Sequence, residues 1–184
     1  RGPFGNSYAV TKTHKVMIVG GGTGLASLAP LVDKLTQETA RITLLMGAKT
    51  NRELLFHDRM SQLLSKTKGQ LIATTEDDTF GLRGLVTTQA ENLLNKGEKF
   101  DTAIACGPEK MMYKTFLLTE KFRLPLQASL ERFMRCAIGI CGTCTIGKYR
   151  VCKDGPVFTG QQLREVQDEF GHWRRGFDGT KTTI

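Results

Sequence analysis

Four of the five cysteines in this 184-residue chain fall within seventeen residues, at Cys136, Cys141, Cys144 and Cys152. Four residues separate the first two and two separate the next pair, which is the ligand spacing of a plant-type 2Fe-2S cluster. Gly139 and Gly142 let the backbone fold closely around such a cluster and turn N–H groups toward the sulfurs. The pattern therefore predicts a 2Fe-2S cluster that organises the surrounding chain.

A single zinc ion held by the same four thiols is the alternative. Structural zinc sites usually combine two close CxxC knuckles, whereas only Cys141 and Cys144 form one here. The seven residues before Cys152 require the chain to return on a tight hairpin, which we place at 145–150. The spacing favours iron and sulfide, and a colourless protein with bound zinc would favour the alternative.

The composition is that of an ordinary globular protein, with 40% hydrophobic and 24% charged residues. No apolar run has the roughly 18 to 20 residues of a membrane helix, and no signal-peptide pattern is present, so we expect a cytoplasmic protein. The formal charge of +8 comes from scattered basic residues with few aromatics among them. We therefore expect no nucleic acid and no membrane as partner, but an anionic cofactor and an acidic protein.

Short β-branched runs alternate with segments of helical period from about residue 15. The runs, at 16–19, 42–45, 71–74 and 102–105, are almost continuously apolar, as in parallel strands covered on both faces. Leucines at helical spacing lie between them, and one more helix is expected between Pro108 and Pro125. This order predicts an α/β fold, with a doubly wound parallel sheet that binds a nucleotide.

The helical and strand periodicity weakens after residue 123, where glycine and cysteine become dense. A short helix is expected at 161–170, and the turn-rich start of the sequence indicates the end of a preceding domain. We therefore expect four segments: the remnant of a join at 1–14, a nucleotide-binding domain at 15–123, a 2Fe-2S cluster domain at 124–170 and a loosely ordered tail at 171–184.

A glycine-rich turn follows the first predicted strand and opens the first helix. Its backbone and the helix N-terminus can hold a pyrophosphate. The turn does not fit the GxGxxG pattern because Leu25 takes the third glycine position, which disfavours an ordinary Rossmann dehydrogenase. A tight strand-to-helix connection without a ligand is the alternative. The candidate pyrophosphate-binding residues are Gly20, Gly21, Gly22, Thr23 and Gly24.

A second candidate nucleotide motif, Thr75, Glu76 and Asp77, ends the third strand. Ligands of open α/β sheets bind outside the carboxyl ends of the strands, so these side chains would face the same crevice as the glycine turn. Carboxylates there accept ribose hydroxyls and repel a 2′-phosphate, which favours NAD over NADP. Lys49 and Arg52 act in the opposite direction, and a solvated acidic turn is the alternative.

Cys106, Gly107 and Pro108 end the fourth strand at the same edge of the predicted sheet. Cys106 is either a buried small residue, the usual role of a free cysteine, or the neighbour of a redox-active ring. Its position favours the second interpretation. The motif is the third candidate part of the cofactor site.

Together these motifs resemble the electron-transfer subunit of the two-subunit, NAD-dependent dihydroorotate dehydrogenase, in the ferredoxin reductase-like flavoprotein superfamily. The segment Arg1-Gly2-Pro3-Phe4-Gly5-Asn6 is similar to that family's join between flavin and nucleotide domains. The glycine turn, the Thr75 motif and the Cys106 motif are similar to its pyrophosphate, ribose and nicotinamide sites. The most specific similarity runs from Ala128 through the cysteines to Phe158.

The resemblance implies an oxidoreductase that relays electrons between NAD(H), FAD and a 2Fe-2S cluster. The partner would be a catalytic dihydroorotate dehydrogenase subunit of pyrimidine biosynthesis. It also implies that the FAD-binding β-barrel precedes Arg1 and that FAD belongs to the complete protein. Because the cofactors carry the hydride chemistry, no catalytic side chain is predicted, and His57 and His172 are expected to be structural.

Two other functions remain open at this stage. A reductase or diaphorase subunit of a hydrogenase, or of a ferredoxin-dependent transhydrogenase, would contain the same motifs. A zinc-binding adaptor without enzymatic activity is the more distant alternative.

Overall fold

The computed structural model describes residues 2–9, 15–38 and 41–184. The strands in these ranges are β1 (Lys15–Gly21), β2 (Arg41–Ala48), β3 (Gln70–Thr75), β4 (Leu82–Arg83), β5 (Thr102–Cys106), β6 (Leu126–Ser129), β7 (Thr145–Ile146), β8 (Tyr149–Arg150), β9 (Val157–Thr159), β10 (Trp173–Arg175) and β11 (Lys181–Thr183). The helices are α1 (Leu25–Gln37), α2 (His57–Ser65), α3 (Val86–Asn95), α4 (Glu109–Phe122) and α5 (Gly160–Arg164).

The main sheet has the strand order β4-β3-β2-β1-β5-β6-β9. Only β9 runs antiparallel to its neighbour; the other pairs are parallel. The chain builds the sheet outward from β1 to β4 and then returns to the other side of β1 with β5. The crevice between β1 and β5 is therefore the switch point where ligands bind in such sheets. The predicted doubly wound parallel α/β fold is confirmed.

Alternation along β1 shows how the sheet is covered on both faces. Met17 and Val19 pack in the apolar cluster that contains α3 and α4, whereas Val16 and Ile18 pack in the cluster that contains α1 and α2. All four are fully buried. Each such side chain contributes roughly 1.5–3 kcal/mol by leaving water.

The cysteine-rich segment folds against the α3/α4 face of the sheet. The predicted hairpin at 145–150 is confirmed: β7 and β8 pair antiparallel, with Ile146 opposite Tyr149. Ile146, Val151 and Phe158 are buried in the same apolar cluster as α4. This packing places the cysteine loop beside the helix that follows Pro108.

The sheet continues beyond the boundary expected at 123/124, because β6 and β9 both lie in the segment assigned to the cluster domain. β6 pairs with β5, and β9 pairs with β6 from the other side. The two strands have only four and three residues. Their stability comes from pairing with residues distant in sequence, which a local pattern does not reveal.

The closing helix is shorter than the expected 161–170. α5 starts with a capping box, in which Thr159 and Gln162 bond each other's backbone N–H groups, and it ends at Arg164. Beyond it the chain turns, and the Glu169 carboxylate accepts a hydrogen bond from the Gly147 backbone N–H at 3.0 Å. This tertiary hydrogen bond holds the residues after Arg164 in turns, where the sequence predicted further helix.

The tail, expected to be loosely ordered, forms an antiparallel hairpin of β10 and β11. The Lys181 ammonium lies 4.2 Å and the Arg175 guanidinium 5.6 Å from the centre of the Trp173 ring. Asp178 accepts hydrogen bonds from Thr180 in the connecting turn. These cation–π contacts and hydrogen bonds stabilise the tail hairpin, which the polar composition of the tail did not predict.

Of the expected join at 1–14, Arg1 and residues 10–14 lie outside the described residues. The Asn6 backbone N–H donates to the carbonyl of Gly155, and the Gln127 amide bonds both polar groups of the Ala9 backbone. The segment 2–9 therefore packs on the strands that flank the cysteine loop. Within the described ranges no helix is long and apolar enough to cross a membrane.

Candidate functional site

The glycine turn and the Cys106 motif lie side by side at the switch point of the sheet. Gly20 pairs with Cys106 across β1 and β5, and Gly22–Gly24 forms a short 3₁₀ turn before α1. A Cβ added to Gly24 would lie 2.5 Å from the Cys106 carbonyl and from the Gly107 nitrogen. The two motifs therefore meet backbone to backbone, with no room for a side chain between them.

Replacing Gly24 by alanine is expected to disrupt this contact. Overpacking against backbone atoms costs about 1–3 kcal/mol, and the turn must shift away from Gly107. We expect a lower midpoint of thermal unfolding and at least tenfold weaker binding of ADP-ribose, measured by calorimetry. Gly160→Ala is the control, because its Cβ would meet only atoms 3.6 Å or more away. Equal effects of the two substitutions would contradict the close packing.

A cavity of about 400 Å³ lies on one side of the glycine turn. Gly21, Gly22 and Pro108 line it, as do two acidic residues, Glu53 and, directly after β3, Glu76. Three lysines also line it: Lys49, Lys110 and Lys114. The cavity thus combines backbone at a helix start with cations, which suits phosphate groups, and a carboxylate, which suits ribose hydroxyls.

The structure separates the three side chains of the Thr75 motif. Thr75 is buried, and its hydroxyl donates to the Phe80 carbonyl at 2.8 Å. The Asp77 carboxylate accepts hydrogen bonds from the backbone and hydroxyl of Thr79, and the hydroxyl bond lowers the pKa of Asp77 most. Both side chains hold the loop in shape. Glu76 is the residue of the three that lines the cavity.

A second cavity of about 490 Å³, here called the ring-side cavity, lies on the other side of the turn. Gly22 and Pro108 line both cavities. The ring-side cavity is also lined by Thr23 of the turn itself and by residues from four further places in the fold, namely Ser27, Cys106, Ser129 and Arg174. An extended dinucleotide can therefore cross the turn, with its phosphates at the glycines and one end in each cavity.

Sequence reasoning missed several residues of these cavities. Lys110 and Lys114 are four residues apart on the helix that begins after Pro108. Residues at this spacing lie on the same face of a helix, so the sequence could have predicted that both lysines line one site. Ser27 lies in the first turn of α1, directly after the glycine turn. Ser129 and Arg174 had no comparable local signal, since β6 and the tail hairpin bring them to the site.

The four cysteines of the loop form two pairs. The Cys141 backbone N–H donates to Cys136 Sγ and the Cys152 backbone N–H to Cys144 Sγ, both at 3.4 Å. Cys144 and Cys152 are buried, whereas Cys141 is exposed. Two pairs of thiolates match the ligand demand of two iron ions with two protein ligands each, so these residues fit a 2Fe-2S cluster.

Backbone N–H groups point at the sulfurs of this loop. Cys136 Sγ accepts from Ile140 and Cys141, both at 3.4 Å, and Cys152 Sγ accepts from Gly139 at 3.2 Å. The N–H of Cys141, followed by those of Ile138 and Ile140, lowers the pKa of Cys136 to about 6. These N–H groups therefore favour the thiolate form of Cys136, the form that binds iron.

The pKa values of Cys141 and Cys152 shift in opposite directions. The Thr143 hydroxyl, 3.2 Å from Cys141 Sγ, lowers the pKa of Cys141 most, while burial raises the pKa of Cys152. Gly139 and Gly142 adopt the left-handed backbone expected of them, with φ of 77° and 71°. No group of three or more metal-binding side chains in the described ranges is arranged to hold one metal ion.

The two histidines expected to be structural lie outside both cavities. The His57 ring packs edge-on against Phe80 at 4.7 Å, and the His172 ring packs against Tyr113 at 4.9 Å. Neither lines the cavities beside the glycine turn. His57 Nδ1 also lies 3.0 Å from an oxygen of the exposed Asp58 carboxylate.

Comparison with known families gives two matches along the chain. Residues 18–115 match an oxidoreductase NAD-binding domain, and residues 131–164 match the iron–sulfur cluster binding domain of dihydroorotate dehydrogenase B. A protein of Methanocaldococcus jannaschii, described as a probable dihydroorotate dehydrogenase B (NAD(+)), electron transfer subunit, is 40% identical over 98% of this chain and 68% of its own length. The chain belongs to the dihydroorotate dehydrogenase B electron transfer subunit family.

Further members of this family have similar identity. A protein of the same description from Methanothermobacter thermautotrophicus is 41% identical over 95% of this chain and 63% of its own length. The chain thus spans about two thirds of the length of these relatives. The family predicted from the motifs is confirmed, as is an oxidoreductase component with NAD-binding and iron–sulfur domains. The iron–sulfur match includes all four loop cysteines and disfavours the zinc adaptor.

Solved structures extend the comparison. An NADH-dependent reduced ferredoxin-NADP oxidoreductase structure, described in the context of flavin-based electron bifurcation, aligns with a TM-score of 0.76 at 31% identity. The alignment covers 92% of this chain and 62% of that one. The cytochrome b5 reductase domain of Ulva prolifera nitrate reductase aligns with a TM-score of 0.52 at 16% identity, which shows the shared fold alone.

Proposed function

We propose that this chain transfers electrons between NAD(H) and a 2Fe-2S cluster held by Cys136, Cys141, Cys144 and Cys152. In the complete protein FAD takes part, and the electrons pass to or from a catalytic dihydroorotate dehydrogenase subunit. The observation that carries the proposal is that one helix contacts both the candidate nucleotide site and the cysteine-rich segment. Helix α4 borders both cavities beside the glycine turn and packs against the cysteine-rich segment.

The chain's own residues bind and orient the dinucleotide. Backbone N–H groups of the glycine turn and the ammonium groups of Lys110 and Lys114 hold the pyrophosphate. Glu76 accepts ribose hydroxyls and repels a 2′-phosphate, which supports NAD as the nucleotide. With the pyrophosphate held in this way, the nicotinamide would lie in the ring-side cavity, whose lining includes Cys106 and Thr23. The bound flavin and cluster supply the redox chemistry.

The cysteine loop determines how the cluster is held. Its backbone N–H groups donate to the ligand sulfurs and stabilise the added charge of the reduced state. Ile138 and Ile140 beside the ligands are 67% and 75% exposed. Such exposed apolar side chains suit the docking of a partner protein, and the formal charge of +8 suits an acidic one.

Anaerobic absorption and EPR spectroscopy, with iron and acid-labile sulfide determined, test the proposal. We expect about two irons and two sulfides per chain and a rhombic EPR signal after reduction. One zinc without sulfide would contradict the electron-transfer function. Calorimetry with NADH and NADPH gives a separate test of the nucleotide site, where NADH should bind more tightly.

A second candidate is the reductase component of a ferredoxin-linked transhydrogenase. The structural similarity to the NADH-dependent reduced ferredoxin-NADP oxidoreductase favours it. Both candidates require the same cofactor sites and differ in the partner. Recovery of the chain in a complex that oxidises dihydroorotate supports the first candidate. Recovery in a complex that reduces NADP with reduced ferredoxin supports the second.

A further inference from the structure

A buried tyrosine hydroxyl lies behind the ring-side cavity. Tyr8, in the segment that precedes β1, packs against the same apolar core as Cys106. Its hydroxyl oxygen is buried and has no hydrogen-bond partner among the residues that the structure describes. Ser27, Ser129 and Cys106 are nevertheless close enough to influence its pKa, which burial raises most. Buried polar groups without a partner are rare, so this hydroxyl requires an explanation.

The three neighbours of the Tyr8 hydroxyl all line the ring-side cavity. Ser27 comes from α1, Cys106 from the end of β5 and Ser129 from the end of β6. Cys106 and Ser129 are paired residues of neighbouring parallel strands. Tyr8 does not line the cavity itself, so any influence on a ligand acts through these three side chains.

The hydrogen-bond donors and acceptors around Cys106 indicate what the Tyr8 hydroxyl supplies. Ser27 Oγ lies 3.0 Å from the Gly24 carbonyl oxygen and 3.0 Å from Cys106 Sγ. A carbonyl only accepts, so when the single hydroxyl proton of Ser27 is donated to it, the Ser27 oxygen accepts from the thiol. The Cys106 sulfur then has free lone pairs, and the nearby Tyr8 hydroxyl, which has no other partner among the described residues, is the donor that can meet them.

We propose that Tyr8 is a positioning residue that, with Ser27 and Ser129, fixes the Cys106 thiol against the nicotinamide ring of the bound dinucleotide. The inference rests on the proposed function, since it assumes that the ring occupies this cavity. The adenosine end binds on the other side of the glycine turn, so its binding is independent of Tyr8.

Cysteine labelling of the cluster-loaded chain tests the inference. Iodoacetamide labelling of Cys106, followed by peptide mass spectrometry, is expected to be slowed by NAD and not by ADP-ribose. In Tyr8→Phe the labelling of Cys106 without nucleotide should be at least threefold faster, because the thiol is less restrained. The affinity for NAD should fall by roughly threefold to tenfold, the effect of about one hydrogen bond, and the affinity for ADP-ribose should not change.

Tyr149→Phe is the matched control, because its hydroxyl donates to Glu165 at 2.6 Å in the hairpin of β7 and β8. It should leave Cys106 labelling unchanged. Unchanged labelling and an unchanged ratio of NAD to ADP-ribose affinity in Tyr8→Phe would overturn the inference. If neither nucleotide binds to the unsubstituted chain, the proposed function is overturned instead, so the two failures are distinguishable.

Discussion

Replacing Glu109 by alanine is expected to lower the free energy of unfolding by about 3–5 kcal/mol. The Glu109 carboxylate accepts two hydrogen bonds from the Arg132 guanidinium, at 2.5 and 2.9 Å, and one from the Gly171 backbone. The side chains of this pair are only 6% and 1% exposed. Removal of the carboxylate leaves a buried guanidinium without a counter-charge. Urea unfolding followed by circular dichroism measures the loss.

Glu120→Ala provides a matched control on the same helix. Glu120 also pairs with an arginine through two hydrogen bonds, to Arg164 at 2.8 and 2.9 Å, but this pair is 34% and 55% exposed. We expect a change below about 1 kcal/mol, because water screens exposed pairs. A double substitution of Glu109 and Arg132 by apolar residues should recover part of the loss. Similar costs for Glu109→Ala and Glu120→Ala would contradict the importance of burial.

Replacing Cys141 by alanine is expected to remove the iron–sulfur cluster from most of the protein. The side chain is exposed, so its loss creates no cavity in the core, and one iron loses a ligand. Iron per chain should fall from about two to below half of that value, with loss of the visible absorption. The far-UV circular dichroism should be retained, since the loop cysteines are not part of the main sheet.

Cys106→Ala is the control for this experiment. Cys106 lies at the end of β5 and contacts Ser27, so the substitution should leave the iron content unchanged. Retention of full iron by Cys141→Ala, or its loss from Cys106→Ala, would show that the ligand set is different.

The sequence predicted those parts of the molecule that local patterns determine. Four central strands were found because each is a continuous apolar run between turns. The cysteine spacing and the following hairpin were found because they are contained in seventeen residues. The glycine turn was found because it joins a strand to a helix. In each case neighbouring residues carry the whole signal.

Features that depend on distant contacts were not predictable in this way. β6 and β9 are too short to show a period, and they are strands because β6 pairs with β5 and β9 pairs with β6. The tail was expected to be loose, yet Arg135 donates to the Phe177 carbonyl at 2.6 Å and ties the hairpin to the segment before Cys136. The hydrogen bond between Asp77 and Thr79, both exposed, likewise depends on how their loop closes.

The position of the cysteine loop in the sheet has a consequence for how the holoprotein is made. β6 and β9, the strands on either side of the loop, are hydrogen-bonded neighbours, with Ser129 opposite Val157. The base of the loop is therefore closed by backbone pairing. We therefore expect the pairing of β6 with β9 to persist when iron is removed, so that iron and sulfide can be restored to the folded apoprotein.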